Sequence, residues 1–220
     1  MIIKALPKRD FDALMIEKNL NDSNIDEEKN LYLISINYSD FPDWMPEEAY
    51  PHFKEDHSNV LRLFYDDVLQ DTQIKIVATG EYATAKAFTK EDSIKVIEFL
   101  SKIRMNANTE ILVHCKAGKS RSVATAHFIS EYFGMNTSLI YTDDEMKPNL
   151  TVLNLLRQEA PKKCPKCKSD FKCRAIEKIS NAEIKCWCQS IKIPDDTLKD
   201  LADEFNYKCL CPSCLTEYET

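Results

Sequence analysis

The residues best suited to carry out a reaction lie in one short segment, His114-Cys115-Lys116-Ala117-Gly118-Lys119-Ser120-Arg121-Ser122. This segment ends a run of apolar residues and precedes a second apolar pattern, so it is predicted to join a buried strand to a helix. In such a turn, backbone N–H groups can converge on one oxyanion while the helix presents the positive end of its dipole. The segment is therefore predicted to bind an anion such as phosphate.

Four residues of this segment suggest a reaction as well as binding. Gly118 supplies the backbone freedom that a tight curl needs, and the planar fork of Arg121 can hold two phosphate oxygens. A thiol at a helix N-terminus beside cations ionises readily, so Cys115 is predicted to be a thiolate that attacks phosphorus. Ser122 can donate a hydrogen bond to that sulfur when water later displaces it.

This segment resembles the H-C-x5-R-[S/T] signature of the cysteine-dependent protein tyrosine phosphatase superfamily, especially its compact dual-specificity branch. A Pro-Asn segment at 147–150, followed by an apolar helix, resembles the same branch, and the likeness extends over residues 30–160. The resemblance implies an enzyme that hydrolyses phosphotyrosine and also phosphoserine or phosphothreonine. It assigns the nucleophile to Cys115, phosphate binding to residues 116–121 and leaving-group support to Ser122.

The resemblance also implies an aspartate, on a separate loop, that protonates the leaving oxygen. Asp67 is in phase with the apolar alternation of a predicted strand and is the preferred candidate. Asp66 and Asp71 stay open, as does Asp92, although Asp92 suits a helix start better. The chain is longer here than in compact relatives, with an apparent insertion over residues 70–87.

Two lysines in the segment suggest an alternative substrate. Lys116 and Lys119 resemble those of phosphoinositide phosphatases, whose loops contain a similar Cys-Lys-Ala-Gly-Lys run and accept more than one phosphate. Those relatives usually continue with Thr-Gly after the arginine, whereas this chain has Ser122-Val123. An inositol-phosphate or phosphoinositide phosphatase therefore stays an alternative. A further one is a catalytically silent phosphate-binding module whose tail mediates protein contacts.

The other eight of the nine cysteines all lie between Cys164 and Cys214 and predict metal binding. A C-x2-C pair places two sulfurs on one turn, and zinc accepts four thiolates. The two Cys-Pro-x-Cys knuckles are alike and are predicted to share one structural zinc, and the other four cysteines a second. The first set is Cys164, Cys167, Cys211 and Cys214, and the second is Cys173, Cys186, Cys188 and Cys209.

This tail resembles the cysteine-rich CWC family of small bacterial modules, named for the Cys-Trp-Cys element that stands here at 186–188. The resemblance implies a small zinc-binding fold and says little about its role. Disulfides are the alternative, and a reducing compartment disfavours them.

Several strands and helices must position these residues. Predicted strands cover 31–36, 59–65 and 110–114, and predicted helices begin at Thr89 and cover 123–133 and 150–159. Their alternation predicts an α/β fold with a largely parallel sheet flanked by helices. The resemblance implies that this sheet is phosphatase-like. A shift in composition divides the chain into a phosphatase-like domain at 1–160 and a zinc-binding module at 161–220.

Charge and composition narrow the partners. The net charge of −7 and pI near 5.2 argue against nucleic acid as a partner. No apolar stretch is long enough to cross a bilayer, and the N-terminus lacks a signal-peptide core. A cytoplasmic protein acting on a phosphorylated protein or a small phosphomonoester is expected.

Overall fold

A computed structural model of the chain describes residues 1–40, 45–75, 80, 82–135, 145–171, 191–205 and 209–219. The chain divides into two compact units, Met1–Leu156 and Arg157–Thr220. In chain order the first unit contains β1 (Ile2–Pro7), α1 (Lys8–Glu17), β2 (Leu31–Asn37), β3 (Val60–Phe64), β4 (Thr72–Lys75), β5 (Tyr82–Ala85), α2 (Lys90–Lys102), β6 (Glu110–Cys115), α3 (Arg121–Tyr132) and the greater part of α4 (Leu150–Glu159).

Four parallel strands form the central sheet of the first unit, in the order β1-β6-β2-β3. The two inner strands are nearly continuous apolar runs buried on both faces, which is the pattern of a parallel sheet covered on both sides. The predicted α/β class with a parallel sheet flanked by helices is therefore confirmed. β1 and α1 were not predicted.

One face of the sheet is covered by α1. Phe11 and Met15 of this helix are fully buried and share a hydrophobic cluster with Leu33 of β2, Leu112 of β6 and Phe53. Burying each of these side chains contributes about 1.5 to 3 kcal/mol. The end of α1 that follows β1 is thereby held beside the end of β6, where the predicted phosphate-binding segment begins.

The alternate residues of the inner strands, among them Ile34 and Val113, are also fully buried. α3 packs against β1 and β6, and α2 packs against β3. Thr89 and Asp92 form a capping box at the start of α2, which confirms the predicted helix start. α3 ends before Gly134, whose φ of +68° is favourable for glycine at a helix C-terminus.

A β-hairpin formed by β4 and β5 interrupts the chain between β3 and α2. It occupies the predicted insertion. Its two strands are mostly exposed, and its base is closed where Asp66 N donates to Lys86 O at 2.7 Å. The hairpin therefore extends from the loop that carries the candidate acids.

The second unit contains β7 (Lys162–Lys163), β8 (Asp170–Phe171), α5 (Asp195–Glu204) and α6 (Pro212–Thr216). β7 and β8 form a minimal antiparallel hairpin. A small core joins Phe171, Leu201 and Leu210 to the buried cysteines. In the ranges given above, no helix of either unit has the length and apolar character needed to traverse a bilayer.

Candidate active site and metal centre

Cys115 and Ser122 lie side by side where β6 passes into α3. Cys115 is the last residue of β6 and is 2% exposed, and Ser122 is the second residue of α3 and is fully buried. The Cys115 Sγ and Ser122 Oγ atoms are 3.2 Å apart, within hydrogen-bond reach for a sulfur. A hydroxyl at this position can donate to a thiolate or to a departing sulfur.

The loop between these residues curls tightly against the end of β1. Gly118 has a φ of +71°, and a Cβ added to it would stand 2.4 Å from Pro7 N and 2.7 Å from the Leu6 carbonyl carbon. Lys8 N also donates to Lys116 O at 3.2 Å. Only glycine fits this close approach. The loop after Cys115 is therefore held in shape by β1, a strand that the sequence did not predict.

The N-terminus of α3 faces this loop without a side-chain cap. Ser120 occupies the capping position but makes no capping hydrogen bond, because its hydroxyl donates instead to Asp67 Oδ1 at 3.1 Å. The first N–H groups of a helix have no intrahelical acceptor, and they carry the positive end of its dipole. An anion bound in the loop can complement both.

Arg121 is buried at 6% exposure in this setting. Its Nη1 donates to Tyr65 O at 2.6 Å, and its guanidinium carbon lies 5.9 Å from the centre of the Tyr65 ring. Its Nε has no hydrogen-bond partner within the described part of the chain. A buried guanidinium is costly unless a negative group compensates it. The donor set of Arg121 therefore fits an oxyanion.

His114 is buried beside Cys115 and is not suited to proton transfer. Burial, and next the charge of Lys8, lower the pKa of His114 to about 3, so its imidazole is neutral at neutral pH. Its Nε2 is 2.8 Å from Ser35 Oγ, and its ring stacks on Phe11 with centroids 4.0 Å apart. These contacts fix the end of β6 from the side covered by α1.

Asp67 is the candidate acid that contacts the predicted phosphate-binding loop. In addition to the bond from Ser120, Asn149 Nδ2 donates to Asp67 Oδ1 at 2.7 Å. The Asp67 side chain is exposed, and it follows β3 on the loop that leads to the hairpin. The structure thus brings Asp67 to the same loop as Cys115.

The three alternative aspartates use their carboxylates for local structure. Asp66 accepts from Lys86 N at 3.0 Å, and Asp71 accepts from Ala87 N at 2.9 Å, so both close the base of the hairpin. Asp92 belongs to the capping box of α2. A carboxylate that satisfies backbone N–H groups in this way contributes to the fold of its own segment.

The two lysines of the loop are exposed, as is Ala117 between them, and each contacts another element. Lys119 Nζ forms an ion pair with Glu145. Lys116 Nζ lies 5.2 Å from the centre of the Tyr38 ring, which is a cation–π distance. These contacts draw both charges toward the protein's own groups.

The second unit brings four thiols together from its two Cys-Pro-x-Cys knuckles. The Sγ atoms of Cys164, Cys167, Cys211 and Cys214 all lie within 4.8 Å of one another. A tetrahedral zinc with bonds of about 2.3 Å needs sulfurs about 3.8 Å apart, so a small contraction suffices. These are the four cysteines that the sequence predicted to share a metal, and they can hold an ion such as zinc.

Backbone hydrogen bonds fix the shape of the two knuckles that carry the four thiols. Lys168 N donates to Cys164 O at 2.9 Å, and Lys168 has a φ of +64°, which closes the first turn. The second knuckle begins α6 with Cys211 at the capping position, and Cys211 N donates to Cys164 Sγ at 3.4 Å. Burial works against ionisation of Cys164, but backbone N–H groups that donate to its sulfur lower its pKa to about 6. A thiolate ligand is favoured there.

The predicted second metal set stays a prediction. Cys209 is exposed and does not belong to the four-thiol cluster, which is the one group of three or more candidate metal ligands among the described residues. Cys173, Cys186 and Cys188 lie outside the described residues.

Comparison with known proteins gave a match, and it falls on the part of the chain that contains the four thiols. The family model described as Cysteine-rich CWC matches residues 164–216. This CWC match covers both knuckles and therefore all four clustered thiols. Neither the curated proteins nor the solved structures gave a match.

One contributor to the first site was not predicted as a site residue. Asn149 belongs to the Pro-Asn segment that resembles the dual-specificity branch, and its side chain also contacts the candidate acid. An asparagine before an apolar helix signals a helix cap. No local pattern connects it with an aspartate 82 positions earlier.

Proposed function

We propose that the first unit hydrolyses phosphate monoesters through a covalent phosphocysteine. The observation that carries the proposal is the turn between β6 and α3. There a buried cysteine lies 3.2 Å from a serine hydroxyl, beside a buried arginine whose Nε has no partner among the described residues. A nucleophile, a leaving-group donor and an oxyanion ligand on one short loop fit phosphoryl transfer.

The proposed reaction has two displacements at phosphorus. The Cys115 thiolate attacks phosphorus, the P–O ester bond breaks, and Asp67 gives its proton to the departing oxygen. Water then attacks the phosphocysteine and returns a proton to Asp67, while the sulfur leaves as a thiolate that accepts a hydrogen bond from Ser122. Arg121 and the loop N–H groups hold the phosphate oxygens in both steps. The products are an alcohol or phenol and inorganic phosphate.

The contacts of the four candidate aspartates support Asp67 as the acid. Asp67 accepts hydrogen bonds from the phosphate-binding loop and from the start of α4, whereas Asp66 and Asp71 accept from backbone N–H groups at the hairpin base. A general acid must stand within reach of the leaving oxygen, which is bound at that loop.

The substrate class proposed is a protein phosphomonoester, with phosphotyrosine first, as the resemblance to the dual-specificity branch implies. The pairing of Lys119 with Glu145 supports this choice over a polyphosphate ligand, because the carboxylate offsets a charge that a second phosphate would need. For the second unit, we propose that the CWC module holds structural zinc, two ions per chain, and mediates protein contacts.

The test of the proposed function is turnover of p-nitrophenyl phosphate by the full chain and by Cys115→Ser. We expect the wild type to release phosphate and Cys115→Ser to lose all turnover while it still binds tungstate, since the loop and Arg121 stay in place. Arg121→Lys is the companion variant and should lose both activity and tungstate affinity, because lysine cannot reproduce the bidentate grip.

Two outcomes contradict the proposal. Turnover by Cys115→Ser at a rate near that of the wild type removes the covalent mechanism. A wild type that binds tungstate without turnover indicates a phosphate-binding module instead. If turnover is found, phosphopeptides trapped on Cys115→Ser identify the substrate.

A further inference from the structure

The acid and the phosphate-binding loop are joined by one asparagine, Asn149, which lies just before α4. Its side-chain Nδ2 donates to Asp67 Oδ1 at 2.7 Å, and its backbone N donates to Ser120 O at 3.3 Å. Ser120 completes the arrangement, because its hydroxyl donates to the same Asp67 Oδ1 at 3.1 Å. Three residues, Asp67, Ser120 and Asn149, thus form a closed ring of hydrogen bonds. This ring connects the acid loop, the phosphate-binding loop and the start of α4.

The orientation of the Asn149 side chain is fixed by its second role. Its Oδ1 accepts from Val152 N at 3.1 Å, which caps the first turn of α4. Leu153 N donates to Asn149 O at 3.0 Å in the same turn. Because the carboxamide oxygen is used by the helix, the amide nitrogen is the atom that must face Asp67. A donor, and not an acceptor, is therefore presented to the acid.

The Ser120 hydroxyl and the Asn149 amide both donate to the same oxygen of Asp67. A protonated carboxyl group carries its proton on one oxygen and accepts through the other. With Oδ1 occupied by two donors, Oδ2 is the oxygen that can carry the proton. When Oδ2–H gives that proton to the ester oxygen, the carboxylate formed keeps two hydrogen bonds that favour its charge.

We propose that Asn149 is a positioning residue that holds Asp67 at the phosphate-binding loop with Oδ2 as the proton-bearing oxygen. The inference rests on the proposed phosphatase function. Its physical basis is that proton transfer in a displacement at phosphorus tolerates little misplacement of the acid, and a shift of about 1 Å can cost on the order of a hundredfold in rate. Asn149 removes freedom that an exposed aspartate on a loop would otherwise have.

The experiment separates positioning from capping. Serine is a good helix cap but too short to reach Asp67 from the same place, so Asn149→Ser keeps the start of α4 and loses the bond to the acid. We expect kcat for phosphoserine peptides, which have a poor leaving group, to fall on the order of tenfold or more. The kcat for p-nitrophenyl phosphate should fall by less than about threefold, because its leaving group needs little protonation, and KM should stay unchanged for both substrates.

A matched control comes from the opposite end of β6. Asn106 has similar contacts, since its Nδ2 donates to Asn30 Oδ1 at 2.7 Å and its Oδ1 accepts from Asn108 N at 2.7 Å. Asn106→Ser should therefore leave the ratio of the two kcat values unchanged. Thermal unfolding of both variants shows whether either change acts through stability.

A second variant reverses the interaction without changing the size of the side chain. Asn149→Asp keeps the cap but places a carboxylate against Asp67. Because two adjacent carboxylates resist full ionisation, the alkaline limb of the pH–rate profile should move to higher pH. In an Asp67→Asn background, Asn149→Ser should cause no further leaving-group-dependent loss.

The outcomes distinguish this inference from the function on which it rests. An active wild type with equal losses on both substrates in Asn149→Ser, or an unmoved alkaline limb in Asn149→Asp, overturns the positioning role and leaves the phosphatase intact. A wild type with no turnover on either substrate overturns the proposed function, and the positioning role with it.

Discussion

The two units organise their cysteines in opposite ways. In the first, one cysteine is held at the end of a buried parallel strand, and the loop around it is shaped by backbone contacts with β1 and by the hydrophobic core. In the second, four thiols lie together in a small core of a few apolar side chains. A unit of about 60 residues buries little apolar surface, and bonds from these thiols to a metal ion would supply stability that the core does not provide. Under the proposed function, the same residue type is a reactive group in one unit and a structural metal ligand in the other.

The strongest test of this contrast is removal of the metal. Chelation should unfold the second unit, because zinc binding supplies most of the folding free energy of such modules, on the order of 10 kcal/mol per site. It should leave hydrolysis of p-nitrophenyl phosphate largely unchanged, since the proposed chemistry uses side chains of the first unit. Circular dichroism, metal analysis and activity are measured on one preparation.

Metal stoichiometry sharpens the same prediction. Two zinc ions per chain are expected from eight thiols. Cys164→Ser should remove one of them, and Cys186→Ser the other. Zinc near zero with free thiols contradicts the assignment, and zinc-dependent turnover shows that the two units are not independent in function.

The next largest effect concerns the acid. Asp67→Asn should slow turnover of phosphoserine peptides by about 10²- to 10⁴-fold, because a poor leaving group must be protonated as the ester bond breaks. Hydrolysis of p-nitrophenyl phosphate should fall much less. Kinetics with the two substrates measure the contrast, and Asp66→Asn is the neighbouring control. A larger leaving-group-dependent loss in Asp66→Asn would transfer the role to Asp66.

A smaller effect tests the backbone contacts that shape the loop. Gly118→Ala should lower the free energy of unfolding by about 3 kcal/mol or more. The new Cβ would meet the backbone of Pro7, and the alanine would have to keep a positive φ that is strained for it. Gly134→Ala is the matched control, because its φ of +68° is similar but, among the described residues beyond its chain neighbours, no atom lies within 4 Å of the added Cβ. It should cost only about 1 kcal/mol. Equal losses in urea denaturation would remove the close contact as the cause.

The smallest effect is an electrostatic one within the first unit. His57 lies between Asp22 and Asp26, with nitrogen–oxygen distances of 2.9 and 2.8 Å. Burial opposes its charge, but the two carboxylates raise the pKa of His57 above its ordinary value of about 6.5. The stabilisation of the folded state by charged His57 is therefore fully present below about pH 6.5, and it is lost as the pH rises through the folded-state pKa.

The two aspartates have the opposite dependence. Their pKa values are lowered despite some burial, mainly by hydrogen bonds from His57 and from backbone N–H groups, so their contribution is lost on acidification. His57→Gln should thus lower Tm slightly at pH 5 to 6 and still less at pH 9. Thermal melts across pH measure the difference, and a gap that widens with rising pH would contradict the assignment.

The sequence predicted local features well and distant contacts poorly. The run from His114 to Ser122 is contiguous, so its strand–turn–helix geometry could be inferred from its own neighbours. The pairing of the two knuckles followed from their likeness. The choice among Asp66, Asp67 and Asp71 depends on partners far along the chain, such as Asn149 and Lys86, and no periodicity encodes those.

The elements that were missed lack the usual patterns. β1 is short and ends in Pro7, a residue that rarely marks a strand, and α1 follows it with many polar residues. β4 is exposed throughout, and the more buried positions of β5 are two alanines, so neither strand carries a strong hydrophobic alternation. These two segments are recognised as strands only from their antiparallel pairing in the structure.

The place of β6 in the sheet has a consequence for how the chain folds. β6 lies between β1 and β2, and Ile2 pairs with Glu110, so the strand that ends in Cys115 is inserted between two segments made much earlier. Contacts of such high sequence separation slow folding, because a large loop must close before they form. During synthesis, β1 and β2 have to wait for β6 as their common neighbour. The loop that carries Cys115 then acquires its shape in a late step, so the return of activity during refolding should follow the slowest phase of sheet assembly.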